Sequence, residues 1–211
     1  LGDGWYAGYV GYGGVRNRYG GEPRARCLLR LEYADGRVET IPSDASWRAS
    51  YGPVLEGDLQ MGETYDARLE QSGWDRPGFA DASWEAVQTG GPDNLVLQAH
   101  PGVPVRRVME LPVRGMTDPA PGVTIMDLGQ NMVGWARLKV AGAEAGQRIT
   151  LRFGEILNGD GSLHTANLRG ARATDAYICK GGVGEEVWEP RFTFHGFRYV
   201  EVTGYPGRPE P

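Results

Sequence analysis

The segments that decide the fold are WARLKV (residues 135–140) and RITLRF (residues 148–153). In both, apolar residues alternate with arginine, lysine or threonine, which is the period of a β-strand with one buried face. The segment between them, GAEAG (residues 142–146), begins and ends with glycine and predicts a turn. The two segments therefore predict half-buried antiparallel strands, each with one face toward a core and one toward solvent.

The same alternation occurs in the first half of the chain. ARCLLRLEY (residues 25–33) alternates apolar and polar side chains, with Leu28 as the one exception. An Asp-Gly pair follows at residues 35 and 36, which is a strong signal for a tight hairpin turn, and residues 37–41 supply the returning arm. The sequence predicts a β-hairpin with one buried face here.

Other strands and one buried aromatic residue are predicted from similar patterns. We expect strands over residues 103–113, 175–180 and 192–202, and we expect Trp47 to pack inward. Helical periodicity is weak throughout, and 33 glycines with 14 prolines suit short strands joined by turns better than long helices.

These observations predict an all-β protein of two antiparallel β-sandwich (jelly-roll) domains in series. The segment TDPAPG (residues 117–122) has the composition of a hinge, so the boundary is placed between a domain of residues 1–112 and a domain of residues 113–211. The chain begins in mid-pattern without an initiator methionine, so we expect it to be a fragment. Localisation cannot be read from such a start.

Charge and composition exclude several functional classes. The 22 Lys and Arg residues against 27 Asp and Glu residues give a net charge of −5 with no basic run, so no nucleic-acid partner is expected. No apolar stretch approaches the roughly 20 residues of a membrane span, so no membrane partner is expected. The two cysteines lie far apart and the three histidines are scattered, which argues against a disulfide framework and a thiolate metal site.

The opening segment LGDGWYAGYVGYGG (residues 1–14) matches the glycine spacing of a dinucleotide-binding loop. That fingerprint requires a preceding strand and a following helix. Aromatic, β-prone residues interrupted by glycines follow here, and no helix is expected to start among them. We interpret the glycines as permitting bulges and close approach between strands.

Two further segments carry acidic residues. GDLQMGETYDARLE (residues 57–70) is suited to glycosidic acid–base chemistry, to calcium binding or to pairing with Arg68, and a solvated face or structural ion pairs is the favoured interpretation. NGDGSLH (residues 158–164) partly matches a calcium loop, but Leu163 and Arg169 stand where that loop needs glycine and glutamate. A hairpin turn at residues 160 and 161 is the better interpretation.

Five segments together are specific enough to indicate a family, and they run in family order. The chain resembles bacterial α-L-rhamnosidases, glycoside hydrolase family 78. The segments are LGDGWYAGYVG (1–11), DASWRASYGPVLEGDLQMGETYDARLEQSGWD (44–75), DLGQNMVGWARLKVAG (127–142), GEILNGDGSLHTANLRGARATDAYICKGG (154–182) and EEVWEPRFTFHGFRYVEVTGYP (185–206).

The resemblance implies a galactose-binding-like jelly roll over residues 1–112, of which the first strands are missing, and a concanavalin-like β-sandwich over residues 113–211. It also implies a parent enzyme that hydrolyses terminal α-L-rhamnose with inversion, on an (α/α)6 barrel that is not in this sequence. This chain would brace that barrel, and we assign no catalytic residue to it. No cofactor is expected for catalysis. Some family jelly rolls bind rhamnose with calcium, but the metal ligands are not assigned.

Two alternatives to the bracing role stay open, a calcium-assisted module that binds a rhamnose-containing carbohydrate and a pure scaffold. For the module, Trp5 or Tyr6 is the candidate stacking platform, since flat rings pack on the apolar faces of sugars. Four polar side chains are candidates for hydroxyl hydrogen bonds or a hard cation: Asp3, Asn17, Glu63 and Asp66.

Overall fold

The structure is a computed structural model that describes residues 2–11, 14–91, 96, 98 and 100–211. The described residues are almost entirely strand and loop, which confirms the all-β prediction. Within these described ranges, helical structure is limited to α1 (Gly4–Ala7) and two 3-10 turns, Ala67–Leu69 and Ala166–Leu168. The strands are β1 (Leu28–Glu32), β2 (Val38–Pro42), β3 (Arg48–Ala49), β4 (Val54–Asp58), β5 (Gly62–Asp66), β6 (Glu85–Ala86), β7 (Gly115–Ala120), β8 (Val123–Gly134), β9 (Leu138–Ala141), β10 (Arg148–Gly154), β11 (Thr174–Ile178), β12 (Glu185–Trp188) and β13 (His195–Thr203).

The chain forms two compact units that are not continuous in sequence. The larger comprises Leu1–Pro23, Gly52–Glu70 and Arg107–Pro211, and the smaller comprises Arg24–Tyr51 and Gln71–Arg106. The predicted boundary between residues 112 and 113 divides the chain into two domains that are each continuous in sequence. It stays a prediction, because it is a different kind of division from these two units.

A seven-stranded sheet dominates the larger unit, in the order β4-β5-β11-β10-β13-β8-β7. All of its pairs are antiparallel except β5 and β11, which run parallel with Thr64 opposite Ala176. The parallel pair was not predicted. It brings a hairpin from the first half of the chain into register with strands from the second half.

The core of the larger unit lies between this sheet and the two-stranded ribbon of β9 and β12. In β10 the residues of the predicted period-two stripe are buried, and in β9 burial alternates with exposure residue by residue. Both segments contain half-buried strands, although β9 begins only at Leu138 and pairs with β12, so β9 and β10 belong to different sheets. The predicted strands that correspond to β11 and β13 are confirmed. The buried side chains include Leu138, Val140, Ile149, Leu151, Phe153, Tyr177, Trp188, Val200 and Val202.

The smaller unit contains the predicted hairpin, β1 paired antiparallel with β2. Its turn is closed by the Gly36 amide, which donates to the Tyr33 carbonyl over 2.9 Å, and Gly36 has a φ of +85°. The prediction of a buried face is wrong, because Leu29 is 49% exposed and its cross-strand partner Ile41 is 42% exposed. Alternation defines two faces of a ribbon but does not supply a layer to cover one of them.

Two other local predictions are wrong. Trp47 is exposed, because it precedes a ribbon of only two residues per strand, β3 with β6. Residues 103–113 contain no strand. This segment includes Pro104 and Pro112, which lack the amide N–H needed for a strand ladder.

Candidate functional site

The glycine-rich opening forms one helical turn, α1, anchored to β4. The Asp3 amide donates to the Gly57 carbonyl over 2.8 Å, and the Tyr9 amide donates to Asp58 Oδ2 over 2.7 Å. The expectation that no helix starts here is therefore wrong for four residues. The interpretation of the glycines as close-approach positions is supported at Gly8, where a Cβ would lie 2.6 Å from Asp58 Oδ2, but not at Gly4 or Gly11, where a Cβ would meet no described atom within 4 Å.

Asp58 explains why this local structure forms. It is 2% exposed, and besides the Tyr9 amide it accepts hydrogen bonds from the amides of Gln60 and Met61, at 2.7 and 2.8 Å. One buried carboxylate thus holds the chain after α1 and shapes the turn between β4 and β5. The sequence marks Asp58 only as one member of an acidic segment, residues 57–70.

The aromatic candidates on α1 lie at the surface. Trp5 is 70% exposed, and Tyr6 is 47% exposed with its hydroxyl end against Gly20. A ring with an open face can stack on the C–H surface of a sugar, so the Trp5 side chain has the accessibility that this role requires.

The polar candidates near α1 have defined partners. Asp3 forms an ion pair with Arg16. Asn17 adopts a left-handed backbone conformation (φ +57°), and its backbone N–H donates to the Ala7 carbonyl over 3.2 Å. The structure thus places Trp5, Tyr6, Asp3 and Asn17 in one segment.

Asp3 and Arg16 also line an open groove of about 560 Å³ between this segment and β4. Because it carries both cationic and anionic side chains, the groove can donate to and accept from a polyhydroxyl ligand. The sequence does not indicate Arg16 or Arg148 as site residues, because no local pattern shows that an arginine will line a groove. The groove is lined by Asp3, Arg16, Val54, Leu55, Glu56, Gly57, Thr64 and Arg148.

Glu63 on β5 is fully buried. Its Oε2 accepts hydrogen bonds from the amides of Arg191 and Phe192 at 2.9 and 2.8 Å. Burial raises the pKa of this carboxyl above its ordinary value. A direct sugar contact through Glu63 finds no support in this structure, because the side chain is closed off from solvent.

Asp66, at the end of β5, is held by Arg68. Its carboxylate accepts from the Arg68 amide at 3.1 Å and from the guanidinium at 2.9 and 2.7 Å, and so caps the 3-10 turn Ala67–Leu69. The hydrogen bonds from Arg68 lower the pKa of Asp66. This is the structural ion pairing favoured for the acidic segment, and carbohydrate contact by Asp66 stays a prediction.

We expect Asp66→Ala to destabilise the chain by about 1 kcal/mol through loss of the cap. Asp66→Asn should retain most of that stability at neutral pH, because the amide oxygen can still accept from the Arg68 amide. The pKa of Asp66 is lowered in the folded state, so its contribution is present above the unfolded pKa and lost as the pH falls through the folded value. Urea unfolding of the wild type and both variants across acidic pH measures this difference. Equal acid sensitivity of the wild type and Asp66→Asn would contradict it.

The described residues do not offer a ready calcium site. No group of three His, Cys, Asp or Glu side chains among them is arranged to hold a metal ion. In the segment that partly matches a calcium loop, Asp160 instead accepts from the Ser162 amide at 3.0 Å, and Leu157 and Leu163 form a bridge across the turn. The predicted hairpin turn is confirmed.

No helix in the described part of the chain is long and apolar enough to span a membrane.

Comparison with known proteins identifies the family. The model of the α-L-rhamnosidase N-terminal domain matches residues 1–109, and the model of the bacterial α-L-rhamnosidase concanavalin-like domain matches residues 117–211. The chain belongs to the bacterial α-L-rhamnosidase family. The two matched domains follow each other in series, as the resemblance implied.

Individual α-L-rhamnosidases agree with this assignment. An α-L-rhamnosidase of Streptomyces avermitilis is 56% identical over 209 residues, covering 98% of this chain and 20% of that protein. One from Formosa agariphila is 37% identical over 215 residues, covering 99% of this chain and 22% of that protein. The chain thus spans about a fifth of the length of these relatives.

Solved α-L-rhamnosidase structures share the fold. The crystal structure of the Streptomyces avermitilis enzyme complexed with L-rhamnose superposes with a TM-score of 0.91 at 54% identity, over 98% of this chain and 20% of that one. The native Aspergillus terreus enzyme superposes with a TM-score of 0.85 at 41% identity, over 100% of this chain and 24% of that one.

Proposed function

We propose that this chain is a non-catalytic part of an α-L-rhamnosidase, whose whole protein hydrolyses terminal α-L-rhamnose from glycosides with inversion of configuration. The observation that carries the proposal is the 56% identity to a Streptomyces avermitilis α-L-rhamnosidase along nearly the entire chain. At that level of identity over two consecutive domains, the chain shares the architecture of the corresponding fifth of the relative.

The chemistry of the described acids supports a non-catalytic role. Inverting hydrolysis needs two carboxyl groups about 6.5–9.5 Å apart, both open to a substrate that lies between them. In the acidic segment, Glu63 and Asp58 are buried and Asp66 is bound by Arg68. We assign the chemistry to the (α/α)6 barrel of the whole enzyme, and we assign this chain the role of bracing that barrel.

A second candidate function is carbohydrate contact by the α1 segment, favoured by the open ring of Trp5. A rhamnose-containing carbohydrate would stack on this ring and hydrogen bond to neighbouring polar groups such as Asp3 and Arg16.

We expect the 211-residue chain to show no turnover of p-nitrophenyl α-L-rhamnoside under conditions where the intact Streptomyces avermitilis enzyme is active. Turnover at the rate of the intact enzyme would overturn the non-catalytic assignment. For the second candidate, calorimetry with millimolar L-rhamnose, with and without a chelator, measures binding and any dependence on calcium.

The aromatic contact is tested by a matched pair of variants. Trp5→Ala should weaken rhamnose binding about threefold to tenfold, because an aromatic contact contributes about 0.5–1.5 kcal/mol. Trp74→Ala, at a tryptophan of similar exposure in the smaller unit, should leave binding unchanged. Equal effects of the two variants would exclude the Trp5 platform. Absence of heat would remove the second candidate and leave the first.

A further inference from the structure

Three ionisable side chains are buried together where β5, β11 and the start of β13 meet. Glu63 and Asp175 are both 0% exposed, and His195 is 5% exposed with its ring stacked on Phe153 at a centroid distance of 4.2 Å. Two acids and an imidazole buried side by side are costly unless every charge and hydrogen bond is compensated.

The hydrogen bonds of this cluster are unevenly distributed over the carboxylate oxygens. Asp175 Oδ1 accepts from the Glu63 amide at 2.9 Å and lies 3.0 Å from His195 Nε2, while Glu63 Oε2 accepts from two backbone amides. The other two oxygens, Glu63 Oε1 and Asp175 Oδ2, are buried and have no hydrogen-bond partner within the described chain. The Thr193 hydroxyl, in the segment between these partners, is likewise buried and unpartnered.

Glu63 and Asp175 directly precede Thr64 and Ala176, which pair in the parallel strands β5 and β11, so the two acidic side chains lie next to each other on one face of the sheet. Each carries one of the unpartnered oxygens. One added proton converts one oxygen into a donor toward the other and at the same time removes one of two like charges. Glu63 is the better place for the proton, since burial and the Asp175 carboxylate both raise the pKa of Glu63.

The charges around Glu63 do not cancel this effect. On the 191–195 segment, the charge of Arg191 lowers the pKa of Glu63, and the His195 imidazole contacts Asp175. On β4, the residue opposite Glu63 is Gly57, which carries no charge. On β11, the facing acid is Asp175 itself. Even with Arg191 and the two backbone donors, which favour the charged form, the pKa of Glu63 is raised above its ordinary value.

We propose that one proton is held between Glu63 Oε1 and Asp175 Oδ2, and that this acid–carboxylate hydrogen bond is a pH-dependent clamp joining β5, β11 and the 191–195 segment. The clamp ties the β4–β5 hairpin to strands more than a hundred residues later in the chain. It does not depend on the enzymatic role proposed above.

The direction of the pH dependence follows from linkage. Because the pKa of Glu63 is raised on folding, the clamp stabilises fully below the unfolded pKa of about 4.3 and is lost as the pH rises through the folded pKa. Glu63→Gln mimics the protonated acid, since its amide oxygen accepts the two backbone hydrogen bonds and its NH₂ can donate to Asp175. That variant should lack the pH dependence.

The test compares denaturant unfolding of the 211-residue chain and of Glu63→Gln from about pH 4 upward. Within the window between the two pKa values, the folding constant of the wild type should fall about tenfold per pH unit relative to Glu63→Gln. Glu185→Gln, at an exposed glutamate on β12, is the matched control and should follow the wild type. Identical pH profiles of the wild type and Glu63→Gln would overturn the proposal.

A second measurement decides the matter even if Glu63→Gln does not fold. In the wild type, the side-chain carboxyl carbon of Glu63, followed by NMR, should titrate above the ordinary glutamate pKa of about 4.3. A Glu63 midpoint at or below that ordinary value would overturn the proposal.

Discussion

Replacing Gly62 with alanine is expected to destabilise the larger unit by on the order of 4 kcal/mol, because a methyl group has no space there. A Cβ at this position would lie 2.0 Å from the Thr174 carbonyl oxygen and 2.8 Å from Asp175 Oδ1. The backbone φ of +111° adds strain for any residue with a side chain. The obstruction is backbone, so relief requires β5 to move away from β11, which breaks the parallel pairing of the two strands.

The matched control for this substitution is Gly122→Ala in the turn between β7 and β8. Gly122 also has a positive φ, +73°, but an added Cβ would meet no described atom within 4 Å. Its expected cost is that of backbone strain alone, about 1 kcal/mol. Urea or guanidinium unfolding of both variants measures the difference. Similar costs at the two positions would show that φ, and not the close approach to β11, determines the loss at Gly62.

The second large effect is expected for Phe153→Ala, at about 3–5 kcal/mol. Phe153 is 0% exposed on β10, with its ring 4.2 Å from that of His195 and 4.8 Å from that of Phe197. Removing the ring leaves a cavity in the centre of the sheet, and the neighbouring rings lose their contacts. The surrounding strands cannot close over that volume without shifting β13, which pairs with β10, so little of the lost stability should be recovered by relaxation.

Two controls separate cavity formation from a general effect of mutation. Phe153→Leu keeps most of the apolar volume and should cost well under half as much as alanine. Val187→Ala, at an exposed position on β12, should change stability by no more than about 0.5 kcal/mol. The denaturation midpoint at constant slope is the measurement. A loss below about 1 kcal/mol for Phe153→Ala would mean that the ring is not part of the cooperative core.

Much of the fold could be predicted where the signal is local. The alternation in residues 148–153 corresponds to β10, with its apolar residues buried, and the Asp-Gly pairs at residues 35–36 and 160–161 form turns. Alternation and turn chemistry depend on residues a few positions apart, so no tertiary information is needed to recognise them. The order of the longer motifs likewise indicated the family before the fold was known.

The candidate site could be predicted only in part. Ring chemistry marks Trp5 and Tyr6 as candidates, and both lie at the surface. Glu63 is a candidate because its segment is dense in acids, but whether an acid faces solvent or a strand depends on which strand pairs beside it. Arg16, which pairs with Asp3, was missed because an arginine in a loop carries no local sign of its partner.

By itself, the sequence determined that the chain is built of short strands and tight turns, since both depend on the spacing of side chains along the backbone. Tertiary structure alone decided which strand faces are covered and which acids are buried. The ribbon of β1 and β2 is exposed despite its alternation, and Glu63 is buried because β11 and residues 191–192, more than a hundred positions away, close over it. Burial belongs to the set of neighbours that folding assembles, and no local pattern specifies that set.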